Sequence, residues 1–362
     1  MSESLHPALI SGRGAPANEV PTRFNLNARE VDGDWLDSRE LLDGPTVRLK
    51  TTVTEEFPKS ILSFNTSPDL PFDRSVNAYR GCEHGCVYCY ARPSHAYYDL
   101  SPGLDFESKL FAKPNSAALL RKTLAKPGYK AAPIAIGTNT DPYQPIERTY
   151  RITRQILQLC LETRHPIVIT TKSARVLEDL DLLVELSKLE LTGVALSVTS
   201  LDPKLAGILE PRASAPAKRL DAVRKLADAG VYVHVNIAPI IPAITDHEIE
   251  GIVEAAAEHG ASSVSWIPVR LPHELADLFR EWLDVHFPDR ASKVMNIIRD
   301  MRGGKDNDSE FFTRMRGQGT WAALIRTRMQ IAKRKHGLAG SKWGVRSDLF
   351  CPPNLDGQLS VF

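Results

Sequence analysis

The chain has 362 residues, 43% of them hydrophobic, and a formal net charge of +1 at pH 7. This length favours one large domain with appended segments over two domains of equal size. The near-neutral charge argues against a general nucleic-acid-binding protein, and the sequence contains no apolar stretch long enough to cross a bilayer. Residues 1–4 do not begin a basic and then apolar signal sequence. We therefore expect a cytoplasmic protein without a membrane partner.

The predicted elements divide the chain into three parts. Residues 1–70 are rich in Pro, Asn, Asp and Thr, which predicts an N-terminal extension with short strands, one of them near 46–53. In a predicted core domain, 71–285, short β-branched segments alternate with amphipathic segments. Strands are predicted at 77–79, 133–137, 166–171, 193–198, 231–237 and 262–267. Helices are predicted at 116–124, 150–162, 175–188, 217–229, 246–258 and 272–285. This alternation predicts a parallel sheet, which by itself allows either a barrel or a doubly wound sheet.

The third part, residues 286–362, is a predicted basic helical extension. It contains 14 Lys or Arg and 7 Asp or Glu, a net charge of +7, so the rest of the chain carries −6. Such an excess favours a solvated helical surface, and the alternative is a basic patch that faces the phosphates of a substrate.

Polar residues follow the predicted strands at the points where the strands end. These candidate site residues are Asn139 and Asp141 after the second strand, Lys172 after the third, Ser197 in the fourth and Asn236 in the fifth. The carboxyl ends of parallel strands meet at one edge of a sheet, so these side chains are expected to lie together. For Asp141, which precedes a proline, a simple turn is the alternative.

Cys82, Cys86 and Cys89 stand in a C-x3-C-x2-C spacing and account for three of the five cysteines in the chain. Packing gives no reason to place three thiols so close together, whereas metal binding does. A cubane iron–sulfur cluster contains four irons, so three local thiolates leave one iron free to bind a small molecule. A zinc ion with His84 or His95 as the fourth ligand is the alternative.

The sequence GCVYCYAR at 85–92, with Tyr88 before the last cysteine, resembles the motif of radical S-adenosylmethionine enzymes. Within that superfamily it is most similar to the spore photoproduct lyase, or DNA repair photolyase-like, branch. The resemblance implies an α/β fold, a partial (β/α)6 TIM-like barrel with N- and C-terminal extensions. It implies an enzyme with a [4Fe–4S] cluster on Cys82, Cys86 and Cys89. The reduced cluster would cleave S-adenosylmethionine to a 5′-deoxyadenosyl radical that abstracts hydrogen from a substrate. An external electron donor of the flavodoxin or ferredoxin type is also implied.

The resemblance further assigns cofactor-binding roles to individual residues. Lys172 matches a Thr-Lys pair after the third strand, and Ser197 matches a serine of the fourth. Arg219 ends a segment, 210–219, that is similar to the pattern E-P-x-x-S-x-x-x-K-R. The alternative for each is an ordinary surface or packing residue. The complete implied set is Tyr88, Asn139, Asp141, Lys172, Ser197, Arg219 and Asn236.

The sequence departs from the lyase branch at one position. Where those enzymes carry a cysteine that donates hydrogen to the product radical, this chain has Thr138, and a hydroxyl is a far poorer hydrogen-atom donor. Cys160, on an apolar helix face, and Cys351, near the C-terminus, are not convincing replacements. A nucleic-acid substrate is therefore implied only by analogy, and a peptide substrate is equally open. The alternative function is a non-catalytic iron–sulfur or zinc protein, either an electron carrier or a binding module.

Overall fold

The computed structural model describes residues 13–15, 18, 49–339 and 344–354. Within these residues the strands, in chain order, are β1 (Thr52–Glu55), β2 (Leu62–Phe64), β3 (Arg74–Val76), β4 (Tyr79–Arg80), β5 (Lys109–Ala112), β6 (Ile134–Ile136), β7 (Ile167–Thr171), β8 (Thr192–Ser197), β9 (Val233–Ile240) and β10 (Ser263–Pro268). The helices are α1 (Leu104–Ser108), α2 (Ser116–Leu124), α3 (Glu147–Tyr150), α4 (Ile152–Glu162), α5 (Leu180–Lys188), α6 (Pro203–Leu209), α7 (Pro216–Asp228), α8 (Ile249–Glu258), α9 (Leu275–His286), α10 (Pro288–Met301), α11 (Thr313–Arg316) and α12 (Gly319–Lys335). Most of the predicted strand near 46–53 and of the predicted N-terminal extension lies outside the described residues.

A seven-stranded sheet with the order β10-β9-β8-β7-β6-β3-β2 forms the centre of the protein. Its six strands from β3 to β10 pair in parallel and lie side by side in chain order, and β2 pairs antiparallel with β3 at the edge. In the described part of the chain no strand pairing joins β10 to β2, so the sheet is open along that side. This topology confirms the predicted fold class, a partial barrel that does not close.

Helix α4 illustrates why these segments form helices on the sheet. Ile152, Ile156, Leu157 and Leu159 recur at helical spacing and are buried. Cys160 completes the same face, where its thiol packs in the main hydrophobic core. The predicted packing role of this cysteine agrees with its position.

A small sheet with the order β1-β5-β4 lies beside the main sheet. β1 is parallel to β5, and β4 is antiparallel to it. Because β4 ends at Arg80, this sheet fixes the start of the cysteine-containing loop.

One predicted strand is misplaced. The sequence predicted a strand at 77–79, but the strand of the main sheet is β3, which ends before it, and Tyr79 belongs to β4. Between them, Asn77 Oδ1 accepts the backbone N–H of Asn139 (3.0 Å) and the hydroxyl of Thr138 (3.3 Å). The chain turns at this asparagine and passes from one sheet to the other. The other five predicted strands match strands of the structure, and the predicted helices match helical segments.

The C-terminal helices cover one end of the sheet. α9 packs on α10, α10 packs on α12, and α12 packs on α8 beside the edge strand β10. None of the helices in the described part of the chain combines the length and apolar character needed to cross a membrane.

Candidate active site

The three clustered cysteines lie in one loop that follows β4. Cys82 and Cys86 are buried, and Cys89 is half-buried. The loop begins at Gly81, where φ is 71° and a Cβ atom would lie 2.7 Å from the carbonyl oxygen of Phe106, so only glycine fits. Cys82 N–H donates to that same carbonyl (3.0 Å), and Cys89 N–H donates to the carbonyl of Cys86 (3.2 Å). The local backbone therefore gathers the three thiols.

A buried arginine holds this loop against α1. Arg92 Nε donates to the carbonyl of Cys86 (2.8 Å), and its Nη1 donates to the carbonyls of Pro102 (3.0 Å) and Gly103 (2.9 Å). Its Nη2 pairs with Glu107, and both side chains are completely buried. A guanidinium satisfied by three carbonyls and a carboxylate is a rigid brace.

A short N-terminal segment contacts the other side of the same carboxylate. Glu107 accepts the backbone N–H groups of Gly14 (3.0 Å) and Ala15 (2.7 Å), and Arg13 donates to the Glu107 carbonyl (2.6 Å). A Cβ atom on Gly14 would lie 1.7 Å from the carbonyl oxygen of Gly85, so the segment lies directly on the cysteine loop. Residues far from the motif in sequence thus support the loop.

The three thiols of the loop match the ligands of an iron–sulfur cluster. Sulfurs bonded to one tetrahedral zinc at roughly 2.3 Å would lie within about 4 Å of one another. Among the residues that the structure describes, no three His, Cys, Asp or Glu side chains form a group that could hold a single metal ion. In a cubane cluster each thiolate binds a different iron, so such convergence is not required. Burial raises the pKa of each of the three thiols, and a metal would release these protons because it binds the thiolate.

The two histidines considered as zinc ligands are engaged elsewhere. His84 Nδ1 lies 3.3 Å from Asp141 Oδ2. His95 Nε2 lies 2.9 Å from the carbonyl of Lys109, and burial lowers the pKa of His95 to about 4.

Asp141, beyond the end of β6, connects the cysteine loop to the end of β7. Its carboxylate accepts the hydroxyl of Thr171 (2.7 Å) and the backbone N–H of Lys172 (2.8 Å). Burial opposes ionisation, but His84 and these hydrogen bonds lower the pKa of Asp141 to about 2. Both oxygens are occupied by groups of the protein, so Asp141 fixes the backbone that carries Lys172.

A second buried carboxylate, Glu210, connects the loop to β8. Its Oε1 accepts the hydroxyls of Tyr88 and Thr199, and its Oε2 pairs with Arg219. Arg219 also donates to the carbonyl of Ser197 (2.9 Å). Burial opposes ionisation here too, but Arg219 lowers the pKa of Glu210 to about 2. Arg219, in the first turn of α7 as the sequence predicted, is thus directed at protein acceptors.

Lys172, a predicted cofactor-binding residue, lies beside Tyr88 of the cysteine loop. Its Nζ lies 3.4 Å from the carbonyl of Ala238 and 5.7 Å from the centre of the Tyr88 ring. Burial raises the pKa of Cys86 and Cys89, and the charge of Lys172 partly offsets that effect. Its ammonium group therefore lies where a negative charge is favoured.

β8, β9 and β10 place three polar residues at one level. Ser197 ends β8, whereas β9 continues past Asn236 to Ile240 and β10 continues past Ser265 to Pro268. Ser197 is paired with Asn236, and Asn236 with Ser265. Ser265 Oγ donates to Asn236 Oδ1 (2.6 Å), which fixes the amide. The backbone N–H of Asn139 donates to Asn77 Oδ1, and among the described residues its side chain forms no hydrogen bond.

Sequence reasoning missed the residues that hold the loop. Arg92 lies in the cysteine motif and Glu210 in the 210–219 pattern, and both charged side chains are buried. Their apolar neighbours in the sequence were the signal that could have indicated this burial. Glu107 and Arg13 gave no such signal, because nothing in the chain indicates that they meet.

The comparisons with known proteins agree with this geometry. The family model of the Radical SAM superfamily matches residues 76–256, and the chain belongs to that superfamily. An uncharacterised protein of Mycobacterium tuberculosis is 35% identical over 64% of this chain and 68% of its own length. An uncharacterised protein of Methanocaldococcus jannaschii is 32% identical over 48% of this chain and 62% of its own length.

Among solved structures, spore photoproduct lyase complexed with dinucleoside spore photoproduct matches with a TM-score of 0.57. The match covers 78% of this chain and 79% of that one at 16% identity, and it shows a shared fold. As a radical SAM enzyme, the protein uses a [4Fe–4S] cluster and S-adenosylmethionine as its cofactors.

Proposed function

We propose that this radical SAM enzyme removes a hydrogen atom from a nucleic-acid substrate. The observation that carries the proposal is the contact of the loop of Cys82, Cys86 and Cys89 with polar residues that follow β6, β7 and β8. Thr140 donates to the carbonyl of Gly81, Lys172 lies over the Tyr88 ring, and Thr199 contacts the Tyr88 hydroxyl, all at one edge of an open parallel sheet. The solved structure with the same fold binds a dinucleoside, which supports a substrate of that class. The basic C-terminal part of the chain supports it as well.

In this proposal the three cysteines hold the cluster, and the chemistry that the bound cluster supplies is reductive cleavage of S-adenosylmethionine to a 5′-deoxyadenosyl radical. Lys172 binds the cofactor, since its ammonium group lies near the cysteine loop and has only a carbonyl at 3.4 Å as a hydrogen-bond acceptor among the described residues. Asn236 and Ser197 line the same edge. Electrons come from a flavodoxin or ferredoxin type of donor, and a cytoplasmic location stays a prediction.

Two of the residues predicted to bind the cofactor take a different role in the proposal. Asp141 and Arg219 position other groups, because their polar atoms are engaged by the protein. Tyr88 is fixed by its hydroxyl on Glu210. Their substitution is expected to change cofactor binding indirectly, through the backbone of Lys172 and the position of the Tyr88 ring.

Thr138 bears on the type of reaction. Its hydroxyl lies 3.3 Å from Asn77 Oδ1, at the edge where the lyase branch has a cysteine. A hydroxyl group is a poor hydrogen-atom donor, so we propose a reaction other than lesion reversal through a protein thiol.

Anaerobic reconstitution tests the proposal. The protein is loaded with iron and sulfide, reduced with dithionite and supplied with S-adenosylmethionine, and 5′-deoxyadenosine is measured by liquid chromatography. We expect about four iron per chain and a cleavage rate that single-stranded nucleic acid increases more than a peptide pool does. Stimulation by peptides alone would contradict the substrate class.

The non-catalytic alternative predicts a different result in the same assay. Stoichiometric zinc, or an iron–sulfur cluster that never yields 5′-deoxyadenosine, would favour an electron carrier or a binding module.

A further inference from the structure

A basic cavity lies at the open edge of the sheet, apart from the cysteine loop. It has a volume of about 390 Å³ and lies between β10 and the C-terminal helices. Its charged walls are Arg316 at the end of α11 and Arg326 and Lys333 of α12, and β10 contributes Trp266 and Ser265. The size falls within the usual range of ligand pockets, roughly 300–1,000 Å³.

The three cations of the basic cavity are not neutralised by carboxylates. Among the described residues, no Asp or Glu forms an ion pair with Arg316, Arg326 or Lys333. On the same helix, by contrast, Arg328 pairs with Glu250. Within the described part of the chain, the basic cavity therefore concentrates positive charge without a paired carboxylate, which favours binding of an anion.

We propose that the basic cavity binds a phosphate-bearing nucleotide unit of a single-stranded nucleic acid, an inference that rests on the nucleic-acid substrate proposed above. Arginine and lysine side chains recognise phosphate, and the flat face of a tryptophan offers a stacking surface for a base. An acidic peptide would satisfy the cations but would leave the half-buried Trp266 without a flat partner.

Hydrogen bonds connect the basic cavity to the predicted cofactor site. Ser265, in its wall, donates to Asn236 Oδ1 (2.6 Å) and lies 2.7 Å from His234 Nε2. Burial lowers the pKa of His234 to about 4, and the charge of Lys333 acts in the same direction. The histidine is thus neutral near pH 7. A single hydrogen bond from Ser265 thus links the wall of the basic cavity to Asn236.

The test compares two double variants of the reconstituted holoenzyme. Arg316→Glu/Arg326→Glu reverses two charges of the basic cavity. Both side chains are exposed to solvent, so the substitutions should leave folding intact. Arg334→Glu/Lys335→Glu reverses two exposed charges on α12 that do not line it, so the net charge of the two variants is identical. Binding of a short fluorescein-labelled single-stranded oligonucleotide is followed by anisotropy at several salt concentrations.

We expect the cavity variant to bind the oligonucleotide at least about 10-fold more weakly. The slope of its plot of log K against log salt concentration should become shallower by about 1.4, the value for two lost phosphate contacts. The control variant should change either value little. Equal losses in both variants, or no loss in the cavity variant, would overturn the proposal. Competition by polyglutamate as effective as that by unlabelled oligonucleotide would overturn the nucleotide class.

Cleavage of S-adenosylmethionine by the wild-type protein is measured in parallel. Absence of cleavage would count against the proposed function and would leave the binding result as it stands. Cleavage together with unchanged binding by the cavity variant would count against the basic cavity alone.

Discussion

Replacement of Glu107 by alanine should destabilise the protein and loosen its cysteine loop. The Glu107 carboxylate pairs with Arg92 in a completely buried position and accepts the N–H groups of Gly14 (3.0 Å) and Ala15 (2.7 Å). Removing one partner of a buried ion pair leaves the other charge without compensation, which costs about 3–5 kcal/mol. Because Arg92 also holds the carbonyl of Cys86, the effect should reach the cluster.

Two measurements check this reasoning. Urea unfolding of the cluster-free chain, followed by circular dichroism, should show a loss of about 3–5 kcal/mol with an unchanged slope. Reconstituted protein should lose iron to a chelator faster than wild type does.

The matched control is Glu162→Ala. Glu162 also pairs with an arginine, Arg121, but both side chains are partly exposed to solvent, so its loss should cost less than about 1 kcal/mol. The reasoning is refuted if Glu107→Ala costs no more than this control does, or if both variants retain iron as long as wild type does. Arg13→Ala should give an intermediate loss, since it removes the donor to the Glu107 carbonyl and leaves the ion pair intact.

Three further predictions follow from single side chains. Asp141→Asn places an amide N–H against the backbone N–H of Lys172, which should weaken the binding of S-adenosylmethionine by about 1–3 kcal/mol. Calorimetry on the holoenzyme measures this affinity, and an unchanged value would contradict the role of Asp141 in fixing the Lys172 backbone. Glu147→Gln tests a pH dependence: burial raises the pKa of Glu147 from 4.5 to about 7, so the folded state binds this proton more tightly than the unfolded state does. The contribution of protonated Glu147 to the free energy of unfolding is therefore present below pH 4.5 and is lost as the pH rises to about 7, a change of roughly 3 kcal/mol. Urea unfolding at several pH values should show this change in the wild-type protein and not in the variant. Cys160→Ala should leave the iron content unchanged and cost about 1 kcal/mol, because this buried thiol only packs; loss of iron would show that it has another role.

The elements that sequence analysis predicted well are those with a local cause. Five of the six predicted strands match the structure, because each is a short β-branched segment bounded by residues that break it. The strand at 77–79 failed for a reason that lies outside the segment: Asn77 caps the loop at 138–139, which lies far away in sequence. A pattern within a few residues cannot reveal such a contact.

The candidate site divides in the same way. The assignment of Lys172 to the edge of the sheet followed from its position after a strand, and the structure places its ammonium group near the cysteine loop. The resemblance assigned a cofactor-binding role to Arg219, and the side chain is buried, but its donors go to Glu210 and to two backbone carbonyls. Whether an inward-facing charge meets a cofactor or a partner in the protein depends on what packs opposite to it, which the sequence does not state.

The sequence by itself determined the close spacing of the three cysteines and the alternation of strands with helices that makes the core sheet parallel. Both are local properties: three thiols within eight residues can share one cluster whatever surrounds them, and strand–helix alternation predicts a parallel sheet without fixing the order of its strands. The structure showed that the parallel strands lie side by side in chain order. Only the tertiary structure decided how the loop is held, since Arg13, Arg92 and Glu107 meet through packing, and the free energy of a buried charge depends on its neighbours in space. It also decided that the basic C-terminal segment borders a cavity at the open edge of the sheet, because helix α12 packs against α8 and lies beside β10.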